Sequence, residues 1–69
     1  MKKFAERLKE LRTEKNLTQM QLSKETGLSA GAIGFWETEK RIPNAMAIII
    51  LAAYFHVSSD YLLGITDSI

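Results

Sequence analysis

The chain has 69 residues, 46% of them apolar, and a formal net charge of +1. A domain of this size hides only about 60% of its unfolded surface, so its core must be regular to hold. It has no cysteine and one histidine, His56, which excludes disulfides, a thiol nucleophile and a histidine-rich metal centre.

The charges are unevenly placed. Residues 1–41 carry all nine Lys and Arg side chains and six of the eight acids, a balance of +3. Residues 42–69 carry only Asp60 and Asp67, a balance of −2. Taken alone, this distribution is also that of an ordinary solvated surface.

Helix one is predicted from Lys2 to Lys15. Phe4, Leu8 and Leu11 recur at i, i+4 and i+7, one face of a 3.6-residue period. Ala5 and Arg12 flank this stripe, and charges fill the opposite face. Asn16 tolerates the left-handed conformation and ends the helix.

Helix two is predicted from Gln19 to Thr26. Thr18 stands as its N-cap with Gln21 three residues on, the capping-box spacing. Leu17 and Leu22 occupy the N′ and N4 positions of a hydrophobic staple. Leu22 is expected to face inward, with Met20 or Ser23 beside it. Gly27 supplies the positive φ that a helix needs at C′. The pattern then repeats: Leu28, Ser29 as N-cap, and Ile33 at N4. Two staples so close together across a glycine leave room for a three- or four-residue turn, the spacing of a helix-turn-helix.

Helix three is predicted from Ala30 to Thr38, with Ile33 and Trp36 in the core and Leu28 closing the turn. Ala30, Gly31, Gly34 and Phe35 form the outer face. Each interior glycine weakens a helix by about 0.5–1 kcal/mol relative to alanine, but lets another backbone approach closely. A loop from Thr38 to Pro43 follows, and Asn44 caps helix four, Ala45 to Phe55. Ile48, Ile49, Leu51, Ala52 and Phe55 are its expected buried face. Met46, Ile50 and Ala53 are apolar as well, so this helix is either unusually deep or exposes a patch that wants a partner. Its run of eleven apolar residues is too short to span a bilayer. Val57, Ser58 and Leu62 set up helix five, Ser59 to Leu63, ended by Gly64. No strand pattern, repeat, phosphate-binding glycine loop or secretory leader is visible, and a cytoplasmic protein is expected.

Catalysis has little to stand on. His56 falls in a helix-end loop as a surface residue. Asp60 lies in the first turn of helix five, where a carboxylate complements the helix dipole.

The segment LTQMQLSKETGLS, followed by Ile33, Trp36-Glu37, Lys40-Arg41 and Pro43, resembles the phage-repressor-type (Cro/CI-like, XRE-like) helix-turn-helix DNA-binding family. LAAYFHVSSDYLLG resembles the closing part of the same domain, so the likeness runs from about Phe4 to Gly64. It implies an all-α domain of five helices that binds a palindromic double-stranded DNA operator as a homodimeric transcriptional regulator, a repressor. It implies no enzyme activity, cofactor, metal or small-molecule ligand. Helix three would enter the major groove. Thr18 and Gln19 would meet phosphate at the start of helix two. Ser29, Ala30, Gly31, Ala32, Gly34 and Phe35 would lie along the groove, and Lys40 and Arg41 along the phosphates. Relatives carry Gln, Arg, Lys or Asn at several helix-three positions where this chain has no long polar side chain. Many also have glycine where Glu39 stands, at a positive-φ helix exit. The resemblance further implies an Arg12–Glu37 ion pair. It places a dimer surface at the end of helix four and around helix five, on His56, Val57, Ser59, Tyr61, Ile65 and Ile69. The alternative is a protein-interaction module of the same fold, of antitoxin or anti-repressor type, using the apolar surface of helix four.

Overall fold

The computed structural model describes residues 1–69 as five helices: α1 (Lys2–Glu14), α2 (Gln19–Thr26), α3 (Ala30–Glu37), α4 (Ala45–Phe55) and α5 (Ser59–Leu63). The chain is all-α, as expected. Two helices end one residue earlier than the sequence suggests: Lys15 and Thr38 are C-caps. No helix is long and apolar enough to cross a membrane.

Local chemistry places most helix ends. Thr18 accepts from the Gln21 amide while the Gln21 side chain accepts from the Thr18 amide, at 3.0 and 2.8 Å, a complete capping box. Ser29, Asn44 and Ser58 each accept from the amide three residues on. Gly27 and Gly64 end α2 and α5 at φ 78° and 86°. At Gly64 a side chain is doubly unwelcome, since a Cβ there would collide with Lys3 of α1.

The core joins Phe4 and Leu8 of α1, Leu22 of α2, Ile33 and Trp36 of α3, Ala47, Ile48, Leu51, Ala52 and Phe55 of α4, and Leu62 of α5. Phe4 meets Trp36 edge to face at 6.2 Å, which seats α3 on α1. Leu11 packs at the edge of this core, half-buried.

Two assignments, of Ile49 and Arg7, are corrected, and the open choice between Met20 and Ser23 is decided. Ile49, expected in the core, is 60% exposed, and Ala47 takes its place. Residues 47, 48, 51, 52 and 55 make one stripe, so Ile49 falls with Met46 and Ala53 on the far side. Met20 is exposed and Ser23 is the half-buried neighbour of Leu22. Arg7, counted among the solvated charges of α1, is 8% exposed. It donates to the Tyr61 carbonyl, to the Thr66 carbonyl at 2.7 Å and to Asp67 Oδ1 at 2.7 Å, and its Cζ lies 4.1 Å from the Tyr61 ring centroid. This side chain fastens the tail after α5 to α1.

Three non-glycine residues have positive φ: Asn16 at 58°, Glu39 at 63° and His56 at 57°. His56 is the left-handed C-cap of α4, more than the surface loop residue its position suggested. Glu39 takes the left-handed conformation at the exit from α3. Because the conformation costs a β-carbon-bearing residue roughly 1 kcal/mol, Glu39→Gly is expected to raise stability by about that amount. A urea midpoint that stays level or falls would show that Glu39 makes a compensating contact.

Candidate nucleic-acid interface

α2 and α3 are held by a buried polar cluster. Arg12 Nε and Nη2 donate to the two carboxylate oxygens of Glu37 at 2.8 and 2.9 Å, a bidentate pair, and Arg12 Nη1 donates to the Leu17 carbonyl at 2.7 Å. The Arg12 side chain is 11% exposed and that of Glu37 3%. The hydrogen bonds that Arg12 donates to Glu37 hold the guanidinium above the usual arginine value, burial opposes this, and the carboxylate charge adds to the rise. One pair thus joins α1, the α1–α2 connection and the end of α3.

Gln19 belongs to the same cluster. Its Nε2 donates to Glu37 Oε1 at 3.2 Å. Gly34 makes room for it: a Cβ on Gly34 would come within 3.2 Å of Gln19 Oε1. Gln19 is therefore oriented at the start of α2 by the carboxylate that locks α3, with its backbone amide at the helix N-terminus. Sequence reasoning missed this link because its members lie far apart in the chain. The only local hint was a glycine inside a helix.

On α3, Gly31 and Phe35 are exposed, and Ala30 is half-buried. Ser29 and Thr18 are exposed N-caps whose oxygens serve the helix ends. Ala32, expected along the groove, is half-buried and packs against the core. Gly34 faces Gln19. The outward surface of α3 is thus Ala30, Gly31 and Phe35, bordered by exposed Lys40 and Arg41.

Residues 8–62 match the profile of the helix-turn-helix family. The chain belongs to that family. It is 38% identical over 64 residues to the uncharacterized HTH-type transcriptional regulator YobD of Bacillus subtilis, covering 93% of this chain and 57% of that protein. It is 43% identical over 61 residues to the HTH-type transcriptional activator BcrR of Enterococcus faecalis, covering 88% of this chain and 30% of that protein. The chain therefore spans little more than half of the first relative and under a third of the second. Among solved structures it is similar to the restriction-modification controller protein C.AhdI from Aeromonas hydrophila. The TM-score is 0.79 with 34% identity, over 88% of this chain and 92% of the other.

Within this helix-turn-helix domain the expected dimer residues are not one uniform surface. Ile65 and Ile69 are 71% and 73% exposed, and His56 and Ser59 are exposed. Val57 is half-buried against the core, and the Tyr61 ring lies under Arg7. A second apolar surface runs along α4, where Met46 and Ile49 are 62% and 60% exposed; Ile42, just before the helix, is 71% exposed.

Proposed function

We propose that this domain binds double-stranded DNA as a transcriptional repressor, setting α3 in the major groove of each half of a palindromic operator as a homodimer. The observation that carries this reading is α3 itself: a short helix, locked from behind by Arg12–Glu37, with a bare outer face and two cations at its end. An α-helix with side chains is about 10–12 Å across, which the major groove of about 12 Å admits. Gln19 and the free amides at the start of α2 suit a phosphate oxygen. Thr18 and Ser29 stand beside the same backbone. Ala30 and Gly31 allow the helix to sit deep, Gly34 lets Gln19 pack against α3, and Phe35 is placed to meet a thymine methyl. Lys40 neutralises a phosphate. With few polar groups on α3, DNA shape contributes to selectivity.

A single eight-residue helix contacts few base pairs, so pairing of two copies is part of the proposal. Two domains of 28 × 23 × 20 Å joined around α5 are of the size that sets two α3 helices about 34 Å apart, one turn of DNA. His56, Ser59, Ile65 and Ile69 supply the exposed contact, with Val57 and Tyr61 at its base. A small interface of this kind binds weakly alone and tightens on DNA through effective concentration.

The test is a gel-shift titration with genomic fragments over a range of salt, with sedimentation of the protein alone and with the selected duplex. Salt-dependent affinity and two copies per operator are expected. Lys40→Ala should weaken binding to all sequences alike and lower the salt slope by about 1. No salt-dependent affinity for any duplex would favour the second reading, a protein-interaction module, for which the exposed Ile42, Met46 and Ile49 are the specific observation.

A further inference from the structure

We propose that Arg41 reads a guanine in the major groove and that Phe35 holds its guanidinium in place to do so. This rests on the DNA-binding reading above and names the side chain that gives the site its base preference.

Direct readout of a base edge needs hydrogen-bonding groups. α3 offers almost none. Its one polar side chain, Glu37, is committed to Arg12 and Gln19. The Ser29 hydroxyl oxygen accepts from the Ala32 amide. The Ser29 O–H remains a single donor at the start of the helix, so a two-donor contact must come from outside it, and the loop after α3 brings one back. The Lys40 and Arg41 amides both donate to the Phe35 carbonyl, at 2.8 and 3.3 Å. This double anchor turns the chain so that Arg41 Cζ lies 4.9 Å from the centroid of the Phe35 ring. Phe35 is itself 40% exposed on the outer face of α3.

A guanidinium at this distance is held by the ring's electrostatic face. The chain's two ion pairs are Arg7–Asp67 and Arg12–Glu37, so the Arg41 donors are uncommitted. The contact restrains the position of the group over the ring and leaves its N–H donors without a partner in the chain. A restrained guanidinium fork matches the O6 and N7 acceptors of guanine with two fixed donors, a geometry that a flexible lysine ammonium meets less selectively. The position after the helix suggests a phosphate contact; the stack on Phe35 puts the group at the groove-facing side of α3 instead.

The experiment is binding-site selection from a randomised duplex pool with wild type, Arg41→Lys, Arg41→Ala and Phe35→Leu, followed by salt titrations on the selected site and on a copy with 7-deazaguanine. Wild type should select a guanine in each half-site, and 7-deazaguanine there, which lacks N7, should weaken its binding several-fold. Arg41→Lys keeps the charge, so its salt slope on unselected DNA should match wild type while its preference for that guanine falls about ten-fold. Phe35→Leu should reduce the same preference. Arg41→Ala should lose both the preference and about 1 in salt slope. The proposal fails alone if Arg41→Lys selects the same sites with the same preference, the behaviour of a phosphate contact, or if the wild-type sites share no guanine. It fails together with the DNA-binding reading if wild type binds no duplex.

Discussion

Glu37→Ala is expected to destabilise the domain by about 3–5 kcal/mol, the range for breaking one side of a buried ion pair. Domains of this kind are stable by only about 5–15 kcal/mol, so the variant should be close to unfolding at room temperature. The reason is what remains behind. Arg12 stays charged, because its pKa lies far above neutrality with or without its partner. It would keep the Leu17 carbonyl but lose both bonds to the carboxylate in a site where it is 11% exposed. Gln19 would lose its acceptor as well. Glu37→Gln preserves the shape and one acceptor oxygen, and should cost less. Urea unfolding of the three proteins checks this. A midpoint for Glu37→Ala no lower than that of a surface variant would show that the bridge does not support the fold. The consequence reaches function, because the same carboxylate fixes α3 and orients Gln19 at the start of α2.

Arg7→Ala is the second large effect, expected at about 2–4 kcal/mol. Arg7 satisfies two main-chain carbonyls, of Tyr61 and Thr66, and covers the Tyr61 ring. The Thr66 carbonyl would be left without a donor, which costs about 1–3 kcal/mol when buried and less when water reaches it; the Tyr61 carbonyl keeps the Gly64 amide but loses its charged donor, and the lost stem removes further packing. Asp67→Ala should change stability by only about 0–1 kcal/mol, because the Asp67 side chain is 95% exposed although it pairs with Arg7 at 2.7 Å. The contrast is the test. Equal losses in the two variants would mean that the side-chain pair, rather than the carbonyls, fastens the tail. Amide exchange at residues 65–68 should accelerate in Arg7→Ala while the α1 and α4 amides exchange at the rate of global unfolding. Ile65 and Ile69 ride on this tail, so the variant should also weaken the proposed self-association.

Much of the fold was legible because its signals are local. Thr18 with Gln21, Ser29, Asn44 and Ser58 each satisfy amides within three residues, so their spacing alone places a helix start. Gly27 and Gly64 mark ends for a reason of backbone geometry that no distant residue changes. The Phe4, Leu8 stripe and the Ile33, Trp36 pair follow from helical period against an apolar interior. The outward setting of Phe35 follows from the same period, since Phe35 sits next to Trp36 and Trp36 is taken by the core.

Other features were decided by packing between segments far apart in sequence. On α4, where every side is apolar, period cannot choose a face. The neighbours α2 and α5 chose Ala47 over Ile49. Arg7 lies three residues after Phe4, on the side of α1 that turns inward, yet a charged side chain reads as solvated until carbonyls some sixty residues later arrive to receive it. The Gln19 amide and the Arg41 guanidinium were visible as polar groups near α3. Their directions depend on a carboxylate at the end of α3 and on a ring one turn before the loop. Capping and periodicity are set within a turn or two of chain, so sequence alone determined the helices, their capped starts and the family they make. The aim of each long polar side chain is set by whichever distant donor, acceptor or ring lies within 3–5 Å of it. Only the assembled tertiary structure brings those groups together.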